Sequence, residues 1–240
     1  MPTSLTPEQL TGLDASHLQL LEDGHRLVPE VAAAFAALRR DAARAGFTLT
    51  IASSFRSFER QLSIWNGKAS GERPLHDDRG EPLCAAQLTP DQRLRALLRF
   101  SAIPGTSRHH WGTDLDVFDA GALSAGQTVQ LTPAEVAPEG PFAPLHAWLD
   151  EQMAAGRSHG FFRPYAQERG GVAPERWHLS YAPLSLDCAA GCSADRLRAA
   201  WDRAGEQGGL ALRAQIEADW PAIFARYVNV PVGWAAQAQG

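Results

Sequence analysis

Hydrophobic and polar positions recur along this chain with two different periods, and the switches between them mark the elements. Thr6-Pro7-Glu8-Gln9 opens a short helix. Between Pro29 and Ala45 the apolar positions Val31, Phe35, Leu38 and Ala42 fall at helical spacing, while Arg39, Arg40, Asp41 and Arg44 lie mostly elsewhere. One face of that helix is therefore expected to pack and the other to stay wet, with Gly46 ending it. Phe47–Ala52 alternates and is rich in β-branched residues, which predicts a strand, and Ser57–Trp65 predicts a helix. Residues 67–89 show no sustained period and read as an excursion loop. Thr89-Pro90-Asp91 caps a helix that runs to about Phe100.

Gly112–Asp119 and Arg176–Tyr181 alternate polar with apolar and predict two further strands. Between them lie a Gly/Pro-rich stretch over 120–144 and a helix from about Leu145 to Ala155. After Pro183 the pattern is helical to about Tyr227, and a loose tail follows. Neither an internal repeat nor a low-complexity linker interrupts the chain. The expected class is α+β: a single domain, 1–240, with strands and helices mixed irregularly.

Composition narrows the function. The chain has 240 residues, of which 45% are hydrophobic and 20% charged, enough to bury a sizeable core. Its formal charge of -5, from 22 Lys plus Arg against 27 Asp plus Glu, offers no overall positive field for nucleic acid. No apolar run approaches the roughly 20 residues of a membrane-spanning helix. The opening Met1–Glu8 lacks the basic and apolar segments of a secretory signal, so the chain as it stands is expected in the cytoplasm. With a leader removed, the periplasm or cell wall would be expected instead. Three cysteines are too few for a disulfide framework; Cys188 and Cys192 would pair only in a secreted protein, and free thiols are the expectation in a cytosolic one.

The candidate chemistry sits on the two later strands. On Thr113–Phe118, Asp114 and Asp116 point to one face and Leu115 and Val117 to the other; on Arg176–Tyr181, His178 and Ser180 share a face opposite Trp177, Leu179 and Tyr181. Pairing the apolar faces into one core surface brings Asp116 beside His178. His109, in the turn before the first strand, can fold back as a third ligand. Two imidazoles and a carboxylate leave one tetrahedral position of Zn²⁺ open for water, the arrangement of a catalytic zinc. Glu175 follows Pro174 and is expected at the rim, where it can take a proton from that water and pass it to a leaving amine.

Ser107–Asp116 matches Ser-x-His-x-x-Gly-x-x-x-Asp, and Glu175–His178 matches Glu-x-Trp-His. Together they resemble the two signatures of the zinc D-alanyl-D-alanine carboxypeptidases of the VanY type, which share a fold with lysostaphin-type endopeptidases and the hedgehog signalling domain. Ser53–Gln61 is similar to a third family element, Ser-Gly-Tyr-Arg-Ser followed by Gln. The resemblance implies a small antiparallel sheet carrying the zinc site and flanked by helices, with a peptidase core over about 28–183 and a helical extension over 184–240. It implies that His109, Asp116 and His178 bind zinc, that Glu175 is the general base, and that Arg56 polarises the scissile carbonyl or holds substrate. Gln61, Ser107 and Trp177 would line the cleft, although Trp177 serves equally as core packing and Gln61 as a solvated helix residue. Two positions depart from the family: Asp114 stands where Ala is common, and Ser54-Phe55 replaces Gly-Tyr. Asp114 would orient a ligand histidine, hold the substrate amine, or do neither. His110 reads as an aromatic neighbour.

The implied activity is hydrolysis of the terminal D-amino acid bond of peptidoglycan stem peptides. Such an enzyme must neutralise a free carboxylate, for which Arg56, Arg108 and Arg163 are candidates. A preference among dipeptide, tripeptide, tetrapeptide and pentapeptide, or between D,D and L,D bonds, would be set by 67–89 and 120–144, which carry no readable motif. Two other functions use the same fold: a binding module without hydrolysis, which has no need of Glu175, and a phage-type lysin, for which the helical rather than repetitive C-terminal segment supplies no wall-binding repeat.

Overall fold

The computed structural model describes residues 5–77, 80–205 and 209–230. In chain order its elements are α1 (Pro7–Leu10), a hairpin of β1 (Gln19–Leu20) and β2 (Arg26–Leu27), α2 (Pro29–Arg44), β3 (Leu49–Ser53) and α3 (Phe58–Ser70). A second small hairpin, β4 (Leu75–His76) with β5 (Pro82–Leu83), leads to α4 (Pro90–Phe100). Then come β6 (Asp114–Asp119), α5 (Pro133–Val136), α6 (Ala143–Ala154), β7 (Phe161–Phe162) and β8 (His178–Tyr181). After β8 follow α7 (Ala182–Ala190), α8 (Ala194–Ala204), α9 (Arg213–Ala218) and α10 (Trp220–Ile223), and a π-helical turn at Phe224–Val228 is the last described element.

The largest sheet has four antiparallel strands in the order β3-β6-β8-β7. Its apolar face takes Leu49 and Ile51 from β3, Leu115 and Val117 from β6, and Leu179 and Tyr181 from β8. Val31, Phe35, Leu38 and Ala42 of α2, at the spacing their sequence predicts, share that core with Leu145, Leu149 and Met153 of α6. A second core is helical, joining Phe58, Leu62 and Trp65 of α3 and Leu94, Leu97 and Leu98 of α4 to Leu197, Trp201, Ile216 and Ile223 from the C-terminal helices. Indole donors fasten it: Trp65 Nε1 donates to the Ala211 carbonyl at 2.9 Å and Trp201 Nε1 to that of Pro104 at 2.8 Å. The C-terminal helices thus brace α3 and α4.

Several boundaries differ from expectation. The helix expected over Ser57–Trp65 continues to Ser70, since Ala69 extends its buried face and Gly71, at φ 85°, provides a left-handed C-cap. The expected loop over 67–89 consequently opens as helix, and it also contains the β4–β5 hairpin and a 3₁₀ turn at Ala85–Gln87. The first large strand is shifted to Leu49–Ser53, and α5 interrupts the Gly/Pro-rich stretch. The strand expected from Arg176 starts at His178, because a turn precedes it in which the His178 N–H donates to the Glu175 carbonyl at 3.2 Å. The expected tail from 231 onward lies outside the described residues, and Cys84, Cys188 and Cys192 are free thiols. Among the described residues no helix is long and apolar enough to cross a membrane.

Gly112 joins the 3₁₀ turn Arg108–Trp111 to β6 in the left-handed region, at φ 70°. A Cβ there would lie 2.2 Å from Leu18 Cδ2, and the Gly112 carbonyl already accepts the Val28 N–H at 3.1 Å. Gly112→Ala is expected to cost about 1–3 kcal/mol through backbone strain and crowding. The thermal midpoint should fall by roughly 3–10 °C, read by circular dichroism; a melt superimposable on wild type would show that the turn relaxes freely.

Candidate metal centre and active site

Strand register assembles the centre. Asp116 of β6 pairs with His178 of β8, Leu115 with Leu179, and Asp114 with Ser180, so the period of two sets Asp114, Asp116, His178 and Ser180 on the face opposite the core. Every residue of β6 is buried, which makes this polar face a covered one. The turn Arg108–Trp111 folds back across it and delivers His109. On the other flank, the β3–β6 register shifts between Ile51 and Ser53, and the irregularity steers Ser54–Arg56 toward the same place. There the Arg56 N–H donates to the His109 carbonyl at 3.1 Å. His110 is no idle aromatic: its ring bridges the Gly105 N–H, at 3.1 Å, and the Arg56 carbonyl, at 2.6 Å.

Hydrogen bonding fixes both ligand histidines in one tautomer. His109 Nδ1 lies 2.9 Å from the Ser54 carbonyl and must donate to it, which leaves a bare lone pair on Nε2. His178 Nε2 lies 3.0 Å from Asp114 Oδ1 and donates to that carboxylate, which leaves the lone pair on Nδ1. Those two lone pairs face Asp116: His109 Nε2 is 3.3 Å from Oδ2 and His178 Nδ1 is 3.1 Å from Oδ1. Neither contact has hydrogen-bond geometry, and Asp116 Oδ1 is buried without a hydrogen-bond partner. One ligand atom from each residue lies within 4.8 Å of the others. Lone pairs gathered in this way call for a cation among them, and the donor set fits a divalent metal.

Charge around the centre agrees. Burial opposes ionisation of Asp116, yet the adjacent histidines hold its carboxyl well below the usual carboxylate range. Burial likewise works against a charged His178, but Asp114 and Asp116 outweigh it and raise its pKa to about 9. The pocket therefore favours positive charge at His178 Nδ1. Burial holds His109 below the ordinary histidine value. Glu175 Oε2 lies 3.7 Å from His178 Nδ1, and burial, reinforced by Asp116, pushes its carboxyl up to about 7.

Asp114, the departure from the family pattern, orients the His178 ring. Besides His178 it accepts Arg108 Nε at 2.7 Å and the Thr113 hydroxyl at 2.6 Å, while Arg108 donates onward to Ser180 Oγ at 2.6 Å. Burial alone would raise Asp114; Arg108 and His178 prevail and hold it at about 2. Gln61 is not solvated: it is fully buried, accepting Arg56 Nη1 at 2.9 Å and donating to the Ala102 carbonyl at 2.7 Å, and so fixes the guanidinium. Trp177 precedes β8 and packs with Phe118, Val136 and Phe142 in a core cluster. Ser107 is buried at the start of the His109 turn, where its carbonyl accepts the His110 N–H.

Three contributors had no clear sequence signal. The Ser54 carbonyl acts through backbone that any residue supplies. Tyr165, whose ring centroid is 5.0 Å from that of His178, accepts the Glu175 N–H at 3.0 Å from outside all three motifs. Lys68, whose charge acts on Glu175, falls in the segment read as loop; its position seven residues after Gln61 becomes informative only once α3 is known to continue.

Comparison with known proteins matches this architecture to one family. The family model described as VanY, D-alanyl-D-alanine carboxypeptidase, matches residues 24–184. An uncharacterised protein of Haemophilus influenzae (strain ATCC 51907 / DSM 11121 / KW20 / Rd) is 48% identical over 103 residues, covering 41% of this chain and 70% of that protein. A D-alanyl-D-alanine carboxypeptidase of Enterococcus faecalis (strain ATCC 700802 / V583) is 28% identical over 148 residues, 60% of this chain but 44% of that longer relative. Among solved structures, VanYB in complex with D-alanine-D-alanine shares the fold, with a TM-score of 0.50 at 22% identity over 84% of this chain and 88% of that one. With the match spanning the sheet, the His109 turn and the Glu175 turn together, the chain belongs to the VanY family of D-alanyl-D-alanine carboxypeptidases.

Proposed function

We propose that this protein is a zinc-dependent carboxypeptidase that releases the terminal D-amino acid from peptidoglycan stem peptides. The observation that carries the reading is the convergence of three ligand lone pairs, from His109, Asp116 and His178, beside the half-buried carboxyl of Glu175. Two imidazoles and one carboxylate are the donor set of catalytic zinc rather than of a closed structural site. Bound there, zinc would supply Lewis acidity toward the scissile carbonyl and toward a nucleophilic water.

The chain's own groups account for the proton transfers. Glu175, with a pKa pushed up to about 7, is matched to accepting a proton from the attacking water and returning it to the leaving amine. Its backbone is fixed on both sides, the N–H by the Tyr165 carbonyl and the carbonyl by the His178 N–H. Arg56, held by Gln61 and Ser53, presents a forked cation suited to the charge that develops on the carbonyl oxygen. A binding module on this fold would gain nothing from a carboxyl in that place.

The direct test incubates the zinc-loaded protein with D-Ala-D-Ala, a pentapeptide and a tetrapeptide and measures released D-alanine. Glu175→Gln should retain metal while turnover falls by ~10²–10⁴, the usual worth of a general base; full turnover in that variant would place the base elsewhere. Chelation should abolish release and added zinc restore it, whereas activity that survives dialysis to a metal-free protein would refute the metallopeptidase reading. Asp114→Asn should weaken metal binding by ~10–100-fold by loosening the His178 tautomer, as read by competition with a chromophoric chelator. Unchanged affinity would reduce Asp114 to a partner of Arg108 alone.

A further inference from the structure

Cleavage at a chain end requires a group that recognises the end itself, a free carboxylate. Of the arginines suggested by sequence, two are already engaged. Arg108 is buried on Asp114 and Ser180, and its guanidinium lies 4.7 Å from the Trp111 ring centroid. Arg163 is paired with Asp150 and donates to the Arg176 carbonyl at 2.7 Å and toward His146. Arg56 and Lys68 differ from both. Among the described residues Arg56 is bonded to the neutral oxygens of Gln61 and Ser53, and Lys68 Nζ to Ser101 Oγ at 2.7 Å. Neither has a carboxylate partner there, although both are partly buried.

Resting on the carboxypeptidase reading above, we propose that Lys68, with the hydroxyl of Ser101, receives the free C-terminal carboxylate of the substrate. Lys68 lies two turns beyond Gln61 on the same face of α3, and helical side chains lean toward the N-terminus, here toward Arg56. The ammonium lies within electrostatic reach of both Arg56 and Glu175. Ser101 is buried, and since its oxygen accepts from Lys68, its own proton is free to donate to an incoming carboxylate oxygen. Arg56 and Lys68 repel each other, with Glu175 attracting both without a direct ion pair to either among the described residues, and a further anion between them relieves that repulsion. The two groups suit different charges: the rigid fork of Arg56 fits a developing oxyanion, and the compact ammonium of Lys68 fits a substrate charge present throughout the reaction. Lys68 is thereby a determinant of exopeptidase over endopeptidase action.

The test compares N-acetyl-L-lysyl-D-alanyl-D-alanine with the same peptide ending in a carboxamide, on the zinc-loaded wild type, Lys68→Met and Lys68→Arg. Hydrolysis is followed by release of D-alanine or D-alaninamide, and binding of each peptide by calorimetry. The preference of wild type for the carboxylate should fall by ~10–100-fold in Lys68→Met, mainly through KM, with part recovered in Lys68→Arg. If Lys68→Met keeps the wild-type preference and only its thermal midpoint drops, Lys68 is a tether to Ser101 and the assignment is overturned. A wild type that treats both peptides alike in hydrolysis and in binding overturns it as well. A wild type that binds the carboxylate form preferentially and hydrolyses neither refutes the function proposed above, while the Lys68→Met binding ratio still decides the role of Lys68.

Discussion

The pairing of β6 with β8 is the constraint on which the rest depends. Asp116 and His178 are far apart in sequence, and a backbone register places them opposite one another. Because side chains alternate, a slip of one residue would carry Leu115 or Leu179 to the polar face and send a ligand into the core. The apolar residues prevent that slip: Leu115, Val117 and Leu179 are packed against α2 and α6 with negligible exposure. Core packing on one side of the sheet thereby sets ligand geometry on the other. The hydrophobic pattern and the metal chemistry are two consequences of one register.

A buried polar face is costly unless each group on it is matched. Here the matching is hierarchical. Ser54 and Asp114 take the outward protons of the two histidines, Arg108 neutralises Asp114, and Ser180 and Thr113 complete those bonds. What remains unmatched is confined to the inner atoms of His109, Asp116 and His178, where a cation belongs. The outer groups remove alternatives: neither ring can flip without breaking a bond already made. Asp114, which adds a negative charge beside the centre, therefore does not act as a free charge, since Arg108 cancels it at 2.7 Å.

Much of this was legible in the sequence, and the part that was not has a physical reason. The strand pairing followed from two alternating segments with compatible apolar faces, and it brought Asp116 to His178 before any coordinates. The helix α2 was readable because four apolar residues marked one face over its length. What failed was local and short. The strands β1, β2, β4, β5 and β7 have two residues each, too few for a period to show. The end of α3 was hidden because Gly67 reads as a breaker, yet it is buried inside the helix beside the Arg73 side chain. Glu175 keeps a partly exposed side chain 3.7 Å from His178 Nδ1, in keeping with a rim position, but the turn between Glu175 and His178 that sets it there is one that alternation does not encode. For Gln61 the sequence left cleft lining and a solvated helix position both open, because its partners, Arg56 and the Ala102 carbonyl, come from two other segments.

The extension of α3 past Trp65 also connects stability to selectivity. Gln61, Trp65 and Lys68 occupy one helix, and they anchor respectively Arg56, the carbonyl of Ala211 and the hydroxyl of Ser101. That helix is fixed from behind by Leu197, Trp201 and Ile216 of the C-terminal helices, a core distinct from that of the sheet. The proposed metal ligands thus answer to one core, and the cations proposed to face the substrate answer to the other. The C-terminal helices act on α3, and so on the Gln61 and Lys68 it carries, from a core separate from the one that holds the β6–β8 register. On this arrangement a change in the proposed carboxylate-binding groups on α3 leaves the proposed ligand set undisturbed, since the two are packed in separate cores.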